Sequence, residues 1–323
     1  MLALTNEFFS SGSLGLLAAT TAALFWALAT ILYRQVGQLL GPVSMNLAKG
    51  IAATLLLGVV VAIEAWRSGQ NPLGLSPGLF WLLAASGVIG LGIGDTCFFA
   101  SLNRLGSRRT LLIFMLAPVL TALFAWPALG ETLSLLQITG IALTCAGVVW
   151  VIAERTPGEG GRSVDALGIS FALGAALCQA VGALMSRHVF DQADLGAAPS
   201  ALIRLVPGTL VLVLMLPLDR RLHASRSREP AEDLSGNWQR RWSRIWVSLS
   251  LAVLLGTFFG IWLQQIAFKM SDHLGVASTL LATSPLFVLP MVALGGEKLS
   301  ARAVLGAIIG VTGVAVLLIQ GYS

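Results

Sequence analysis

Long apolar runs of about 20 residues, separated by short polar connections, recur along the whole of this sequence. An α-helix of that length crosses roughly 30 Å of hydrocarbon, and these runs are apolar on every side. Only 11% of the residues are charged, whereas the water-facing surface of a soluble domain brings that share to about 25%. The pattern therefore predicts an integral membrane protein rather than a soluble protein with a large core.

No run alternates strictly between apolar and polar residues. In lipid every backbone polar group needs an internal partner, so spans are expected to be helices unless the strands close into a barrel. The sequence predicts ten transmembrane helices, at about 14–33, 43–63, 78–102, 107–128, 135–153, 166–187, 199–218, 246–268, 275–295 and 301–320.

The second half of the sequence repeats motifs of the first. Gly130-Glu131-Thr132-Leu133-Ser134 is followed by Gly147, and Gly296-Glu297-Lys298-Leu299-Ser300 is followed at the same spacing by Gly313. Five helices make an odd number of crossings, so the second copy must enter the membrane from the opposite side. The sequence thus predicts an all-α membrane protein with two inverted five-helix repeats around a central cavity, an arrangement common in secondary transporters.

These runs divide the chain into an N-terminal tail (1–13), a first repeat (14–153), a connection (154–165) and a second repeat (166–320). The second repeat contains an arginine-rich polar loop, 219–245, which in a membrane protein is not expected to bind nucleic acid. Cys97, Cys145 and Cys178 all lie inside apolar runs, so no disulfide framework is expected.

The duplicated Gly-Glu-x-Leu-Ser block resembles the EamA family of the drug/metabolite transporter superfamily, as does the stretch Gly94-Asp95-Thr96-Cys97-Phe98-Phe99 leading to Leu105-Gly106. The resemblance extends over about 14–320. It implies ten helices around a central cavity, with alternating access between the two sides of the membrane. It also implies transport of amino acids, other metabolites or drugs, without selecting among them.

Three charged residues fall well inside the predicted spans: Lys49, Asp95 and Arg204. A charge at that depth costs at least about 3 kcal/mol and usually faces protein or water. At 1.5 Å per residue, Lys49 lies roughly 10 Å and Asp95 roughly 13 Å from the same membrane face, a depth at which they can form a buried pair. Alternatively, Lys49 snorkels to the interface or pairs with Glu297. Asp95 is expected either to carry a transported proton or to neutralise Lys49.

Arg204 lies roughly 8 Å from the opposite membrane face, too far from Asp95 to pair with it. It is expected to pair with Glu131, to snorkel, or to face the cavity, where its guanidinium suits a carboxylate or phosphate. The other candidate substrate-binding residues, besides Lys49, are Trp26, Asn46, Gln179 and Gln264. Their aromatic and amide groups suit an amphipathic metabolite.

The positive charges are distributed unevenly between the two predicted faces. Among the connections of one face only Arg67, Arg187 and Lys269 are basic, and every other lysine or arginine outside the spans lies on the opposite face. The positive-inside rule places that opposite face in the cytoplasm and both termini outside. The family resemblance implies cytoplasmic termini instead, but the charge count belongs to this sequence itself and favours termini outside.

The sequence predicts a secondary active transporter, not an enzyme, that exports small amphipathic or amino-acid-like metabolites. The runner-up is an exchanger of anionic metabolites that uses Lys49 and Arg204. An intramembrane enzyme is disfavoured, since the spans hold no histidine cluster and only one acid well inside, Asp95. A channel is disfavoured because the inverted repeat favours alternating access, although the repeat does not exclude it. No catalytic residue, metal or cofactor is expected. The expected partners are a small-molecule substrate, the lipid bilayer and protons. The protein is expected to be a monomer or homodimer in a bacterial inner membrane.

Overall fold

The structure, a computed structural model, describes residues 11–37, 40–69, 71–129, 135–152, 165–224, 238–270, 274–284, 287–288, 291, 294 and 301–319. Within these residues the chain is helical and contains no β-strand. The α-helices are α1 (Ser11–Gly37), α2 (Pro42–Ser68), α3 (Pro77–Gly87), α4 (Asp95–Phe114), α5 (Leu116–Leu129), α6 (Leu135–Ile152), α7 (Ala166–Gln192), α8 (Ala197–Ala224), α9 (Trp238–Ala252), α10 (Gly260–Met270), α11 (Leu274–Leu281) and α12 (Ala301–Ile319).

Seven helical stretches of the described residues are long and apolar enough to cross a membrane. They are Leu14–Gly37, Pro42–Ser68, Pro77–Ser107, Arg109–Ala128, Ala166–Gln192, Ala197–Pro217 and Ile245–Met270. A shorter apolar stretch, Val304–Gly313, lies in α12. The prediction of an all-helical integral membrane protein is therefore confirmed. The duplicated blocks 130–134 and 296–300 lie outside the described residues.

A left-handed glycine interrupts α4. Gly106 has φ 78° and ψ 172°, a conformation that glycine adopts without the steric clash of a Cβ atom. A Cβ atom at this position would also lie 3.3 Å from the guanidinium carbon of Arg34. Gly106 therefore lies near the end of the span Pro77–Ser107, shortly before the span Arg109–Ala128 begins, and between two of the predicted apolar runs.

Two seven-residue π-helical stretches interrupt the spans at equivalent places in the two halves. Val88–Gly94 joins α3 to α4, and Val253–Phe259 joins α9 to α10. The sequence repeats a Gly-x-x-x-Gly pair at both places: Gly90 and Gly94 lie in the first stretch, whereas Gly256 lies in the second and Gly260 directly follows it. A π-helical turn is wider than an α-helical one, and such turns occur frequently at functional sites.

The principal helix contacts join the first half of the chain to the second. α1 packs on α10, α2 and α3 pack on α8, α4 and α5 pack on α7, and α6 packs on α12. Glycines permit this close approach: a Cβ atom on Gly147 would lie 2.6 Å from the backbone nitrogen of Gly310. Small residues of this kind associate membrane helices, because lipid chains provide no hydrophobic driving force between them. The interior is therefore an interface between the halves.

Candidate functional site

A cavity of about 90 Å³ lies between the two halves. Its wall is formed by α1, α2, α4, α7, α10, α11 and both π-helical stretches. The aromatic side chains of the wall are Trp26, Tyr33, Phe98, Phe99 and Phe114. Its polar side chains are Thr30, Lys49, Asp95, Gln179, Thr257, Gln264 and Ser284. A mostly apolar and aromatic wall with a few polar groups is typical of small-molecule sites.

An ion pair between Lys49 and Asp95 occupies one part of this wall, where the Nζ atom meets the Oδ2 atom. The ammonium group also lies 5.2 Å from the centroid of the Phe99 ring, within range of a cation–π contact. The Lys49 side chain is 6% exposed and the Asp95 side chain 27%. The carboxylate therefore remains open to the cavity while the ammonium is enclosed. Glu297, the other partner considered for Lys49, lies outside the described residues.

Asn46 is buried one turn before Lys49 and holds the first π-helical stretch in place. Its amide nitrogen donates to the carbonyl oxygens of Leu91 (2.9 Å) and Gly92 (3.1 Å) and lies 2.9 Å from the Thr96 hydroxyl. Asn46 is not part of the cavity wall. Its contacts fix the backbone immediately before Asp95 instead.

Trp26 makes the corresponding contact with the second π-helical stretch. Its indole nitrogen donates to the carbonyl oxygen of Gly256 at 2.8 Å. A Cβ atom on Gly260 would lie 2.5 Å from that nitrogen, so the glycine makes room for the indole. Two turns along α1, the Tyr33 hydroxyl hydrogen-bonds the Thr257 hydroxyl at 2.8 Å. A first-half helix therefore supplies side chains that bond to a second-half stretch on the cavity wall.

A second, smaller space of about 20 Å³ shares Trp26 and Gln179 with the main cavity and extends it towards Ser278. The amide nitrogen of Gln264 and the hydroxyl of Ser278 are buried without a hydrogen-bond partner among the described residues. Buried polar groups are normally satisfied by protein, water or a ligand. Gln264 lines the main cavity and Ser278 lines the smaller space, so both groups lie close to where a bound molecule would sit.

Arg204 lies apart from both spaces. Its side chain is fully buried, and none of its three guanidinium nitrogens has a hydrogen-bond partner among the residues that the structure describes. The backbone of Arg204 packs against Gly87 of the first half. One of its terminal guanidinium nitrogens packs against Gly90 of the first half and Gly182 of the second. Glu131, one partner predicted for it, lies outside the described residues.

Ion pairs also lie at the ends of the helices. Arg104 of the first half pairs with Asp165 at 2.8 Å, and Asp165 caps α7 by accepting from the backbone nitrogen of Gly168 at 3.0 Å. Lys269 pairs with Asp194 at 2.8 Å in the connection between α7 and α8. The hydrogen bond from Lys269 holds the pKa of the exposed Asp194 carboxyl below its ordinary value.

Of the candidate residues from the sequence, Trp26, Lys49, Asp95, Gln179 and Gln264 all line one cavity. Asn46 and Arg204 lie behind its wall.

Sequence reasoning missed Tyr33, Thr257 and the phenylalanines. A signal for Tyr33 was present, because Trp26, Thr30 and Tyr33 recur at the spacing of one helical face. No comparable signal marked Thr257, which lies in the second π-helical stretch.

An all-helical membrane protein with such a cavity between two halves has the form of a membrane transporter. A model of the EamA-like transporter family matches residues 13–153 and 166–319, and the chain belongs to this family. The resemblance drawn from the sequence motifs is thereby confirmed.

Two individual proteins are also similar to this chain. LicB of Haemophilus influenzae is 30% identical over 135 residues, which is 40% of this chain and 44% of LicB. A protein of known crystal structure matches 96% of this chain and 98% of its own length, with a TM-score of 0.65. At 20% identity, that second match shows a shared fold alone.

Proposed function

We propose that this chain is a secondary active transporter that exports small amphipathic or amino-acid-like metabolites across a bacterial inner membrane by alternating access. The observation that carries the proposal is the cavity between the halves, whose wall holds the Lys49–Asp95 ion pair. The chain crosses the membrane ten times, as two inverted five-helix repeats. Transporters built in this way hold the substrate near the midplane between their repeats.

Reciprocal contacts between the halves support a pseudo-two-fold arrangement, which two inverted repeats would have. Trp26 of α1 meets Gly256 in the second π-helical stretch, while Cys178 of α7 meets Gly94 at the end of the first. The first helix of each half thus packs on the π-helical stretch of the other. A pseudo-two-fold axis between inverted repeats generates such an exchange.

The cavity wall suits a molecule with an apolar body and a polar head. Five aromatic side chains provide the apolar surface, and the Asp95 carboxylate is the most accessible charge. The amide nitrogen of Gln264, which has no hydrogen-bond partner among the described residues, offers a hydrogen bond to an acceptor on the same molecule. Asp95 and Lys49 neutralise each other in this conformation, so neither charge is left buried alone. Asp95 is therefore assigned a structural role beside the substrate.

Counterflow in proteoliposomes tests the function. Purified protein is first screened by thermal shift against a metabolite library, and each hit is then loaded inside the vesicles while a labelled trace is added outside. Uptake of the trace above its equilibrium level is expected, because alternating access exchanges substrate across the membrane. A channel gives no uptake above the equilibrium level, and an enzyme converts the labelled trace to a product.

Two variants connect the transport to the site. Asp95→Asn and Lys49→Met are both expected to abolish counterflow. Lys269→Met, which removes an exposed lysine at a helix end, is the matched control and is expected to retain it. Folded protein that gives no counterflow with any screened hit would refute the proposal, and an Asp95→Asn protein that exchanges normally would refute the assigned site.

A further inference from the structure

Arg204 is a fully buried cation whose guanidinium has no hydrogen-bond partner among the described residues. Its exposure is 0%, and no acceptor in that part of the chain bonds to any of its guanidinium nitrogens. A guanidinium removed from water is strongly destabilising unless it is paired and hydrogen-bonded. An unsatisfied group of this kind in a folded protein points to a ligand or an ion that completes it.

Glycines from both halves surround the guanidinium. A Cβ atom on Gly90 of the first half would lie 3.2 Å from one terminal guanidinium nitrogen, and one on Gly182 of the second half would lie 3.3 Å from the same nitrogen. No side chain from either position covers that nitrogen. The guanidinium therefore lies in the seam where the two halves meet.

This seam lies directly behind the wall of the main cavity. Leu91 and Gln179 both line the cavity. Leu91 is the neighbour of Gly90 along the chain, and Gln179 is one helical turn before Gly182. The guanidinium is not part of the cavity wall, and it reaches the cavity only if the halves separate along this line.

The charge balance at membrane depth favours an anion. Lys49, Asp95 and Arg204 together carry one net positive charge, and the carboxylate of Asp95 is already paired with Lys49. A guanidinium presents its donors as a rigid planar fork, which matches the oxygens of a carboxylate or a phosphate.

We propose that Arg204 is an anion-binding subsite, closed in this conformation, that takes a carboxylate or phosphate oxyanion. The anion is either a group of the transported molecule or a free ion. The opening of the seam rests on the proposed alternating-access function, but the binding chemistry does not depend on transport.

The test is the thermal stability of the purified full-length protein in sodium acetate or sodium phosphate, compared with sodium chloride at equal sodium concentration. Wild type is expected to show a saturable rise in Tm of about 2 °C or more in the oxyanion salts. Arg204→Met is expected to lose this rise and to be at least as stable as wild type in chloride, because the unpaired charge is gone. Arg302→Met is the matched control, since Arg302 is exposed and lies 5.4 Å from the Trp150 ring centroid. It is expected to respond like wild type.

A wild-type protein that shows no oxyanion-dependent rise overturns the proposal, and so does an Arg204→Met protein that keeps the rise. If Arg204→Met does not fold, Arg204→Lys retains the charge without the fork. Its half-maximal acetate concentration is expected to be about tenfold higher, and an unchanged value overturns the proposal.

The source of the anion is identified by adding a metabolite hit at saturating acetate. If the metabolite and acetate compete for binding, the subsite takes the substrate's own oxyanion. If the rises in Tm caused by the two ligands add, the subsite takes a free ion. Because acetate protection is measured without transport, its failure leaves the counterflow result intact. A failure of counterflow likewise leaves the acetate titration interpretable.

Discussion

Replacing Gly87 with alanine tests whether the two halves are held by direct backbone contact. A Cβ atom at this position would lie 1.9 Å from the carbonyl oxygen of Arg204 and 2.6 Å from its carbonyl carbon. Both are backbone atoms, so no side chain can rotate away. To reach even 3.0 Å, which real Cβ contacts essentially never fall below, α3 and α8 must move apart by about 1.1 Å.

Overpacking of this kind costs about 3 kcal/mol, the upper part of the usual range, because the backbone itself has to shift. Alanine gains about 1 kcal/mol of helix propensity over glycine. The net loss of about 2 kcal/mol corresponds to a fall in Tm of roughly 4–8 °C. Gly58→Ala is the matched control, since Gly58 also lies within a span and a Cβ atom there meets nothing within 4 Å.

The assay is thermal unfolding in detergent, followed by the intrinsic fluorescence of the nine tryptophans and by the fraction that stays monodisperse on size exclusion. Gly58→Ala is expected to have the wild-type Tm or a slightly higher one. If Gly87→Ala unfolds within about 2 °C of Gly58→Ala, the direct contact between α3 and α8 does not hold the halves together.

Four further outcomes are expected. Asp95→Asn lowers the free energy of unfolding by about 2–3 kcal/mol, because it leaves an enclosed ammonium without its carboxylate. Lys49→Met lowers it by less, because the carboxylate that remains reaches the cavity. Thermal unfolding of both single variants and the double variant measures this, and additive effects contradict a coupled pair. Trp26→Phe leaves the Gly256 carbonyl without its donor and costs about 1–2 kcal/mol, whereas an unchanged Tm shows that the hydrogen bond contributes nothing. The lowered pKa of Asp194 stabilises the fold above the ordinary Asp range and ceases to do so as the pH falls through the lowered value. Asp194→Asn therefore lowers the Tm at neutral pH and has no effect at the acid end, and a pH-independent difference refutes this linkage. The orientation is tested with single cysteines introduced at positions 5 and 230 in a cysteine-free background. If the positive-inside rule sets the orientation, a membrane-impermeant reagent added to intact cells labels the cysteine at position 5 and spares the one at position 230. The reverse labelling pattern shows that the rule does not set it.

The spans and their buried charges were readable from local sequence. Lipid leaves a spanning segment few options, so length and apolarity alone predict a helix. The fixed rise of that helix then sets the depth of every residue on it. On that basis Lys49 and Asp95 were placed at one level, and the structure joins them. The rise gives depth but not direction, so it does not show which way a side chain points around the helix axis.

Direction around the axis was decided by tertiary structure. The two π-helical stretches widen their helices, one just before Asp95 and the other around Thr257. Local sequence does not predict such a stretch, because contacts from Asn46 and Trp26 on other helices stabilise it. Arg204 illustrates the same limit. Its depth followed from counting residues, but its enclosure by glycines of both halves did not. The sequence by itself determined the class of protein and the depth of its charges. Only the packing of one half against the other decided which of those charges is paired and which, among the described residues, is left without a partner.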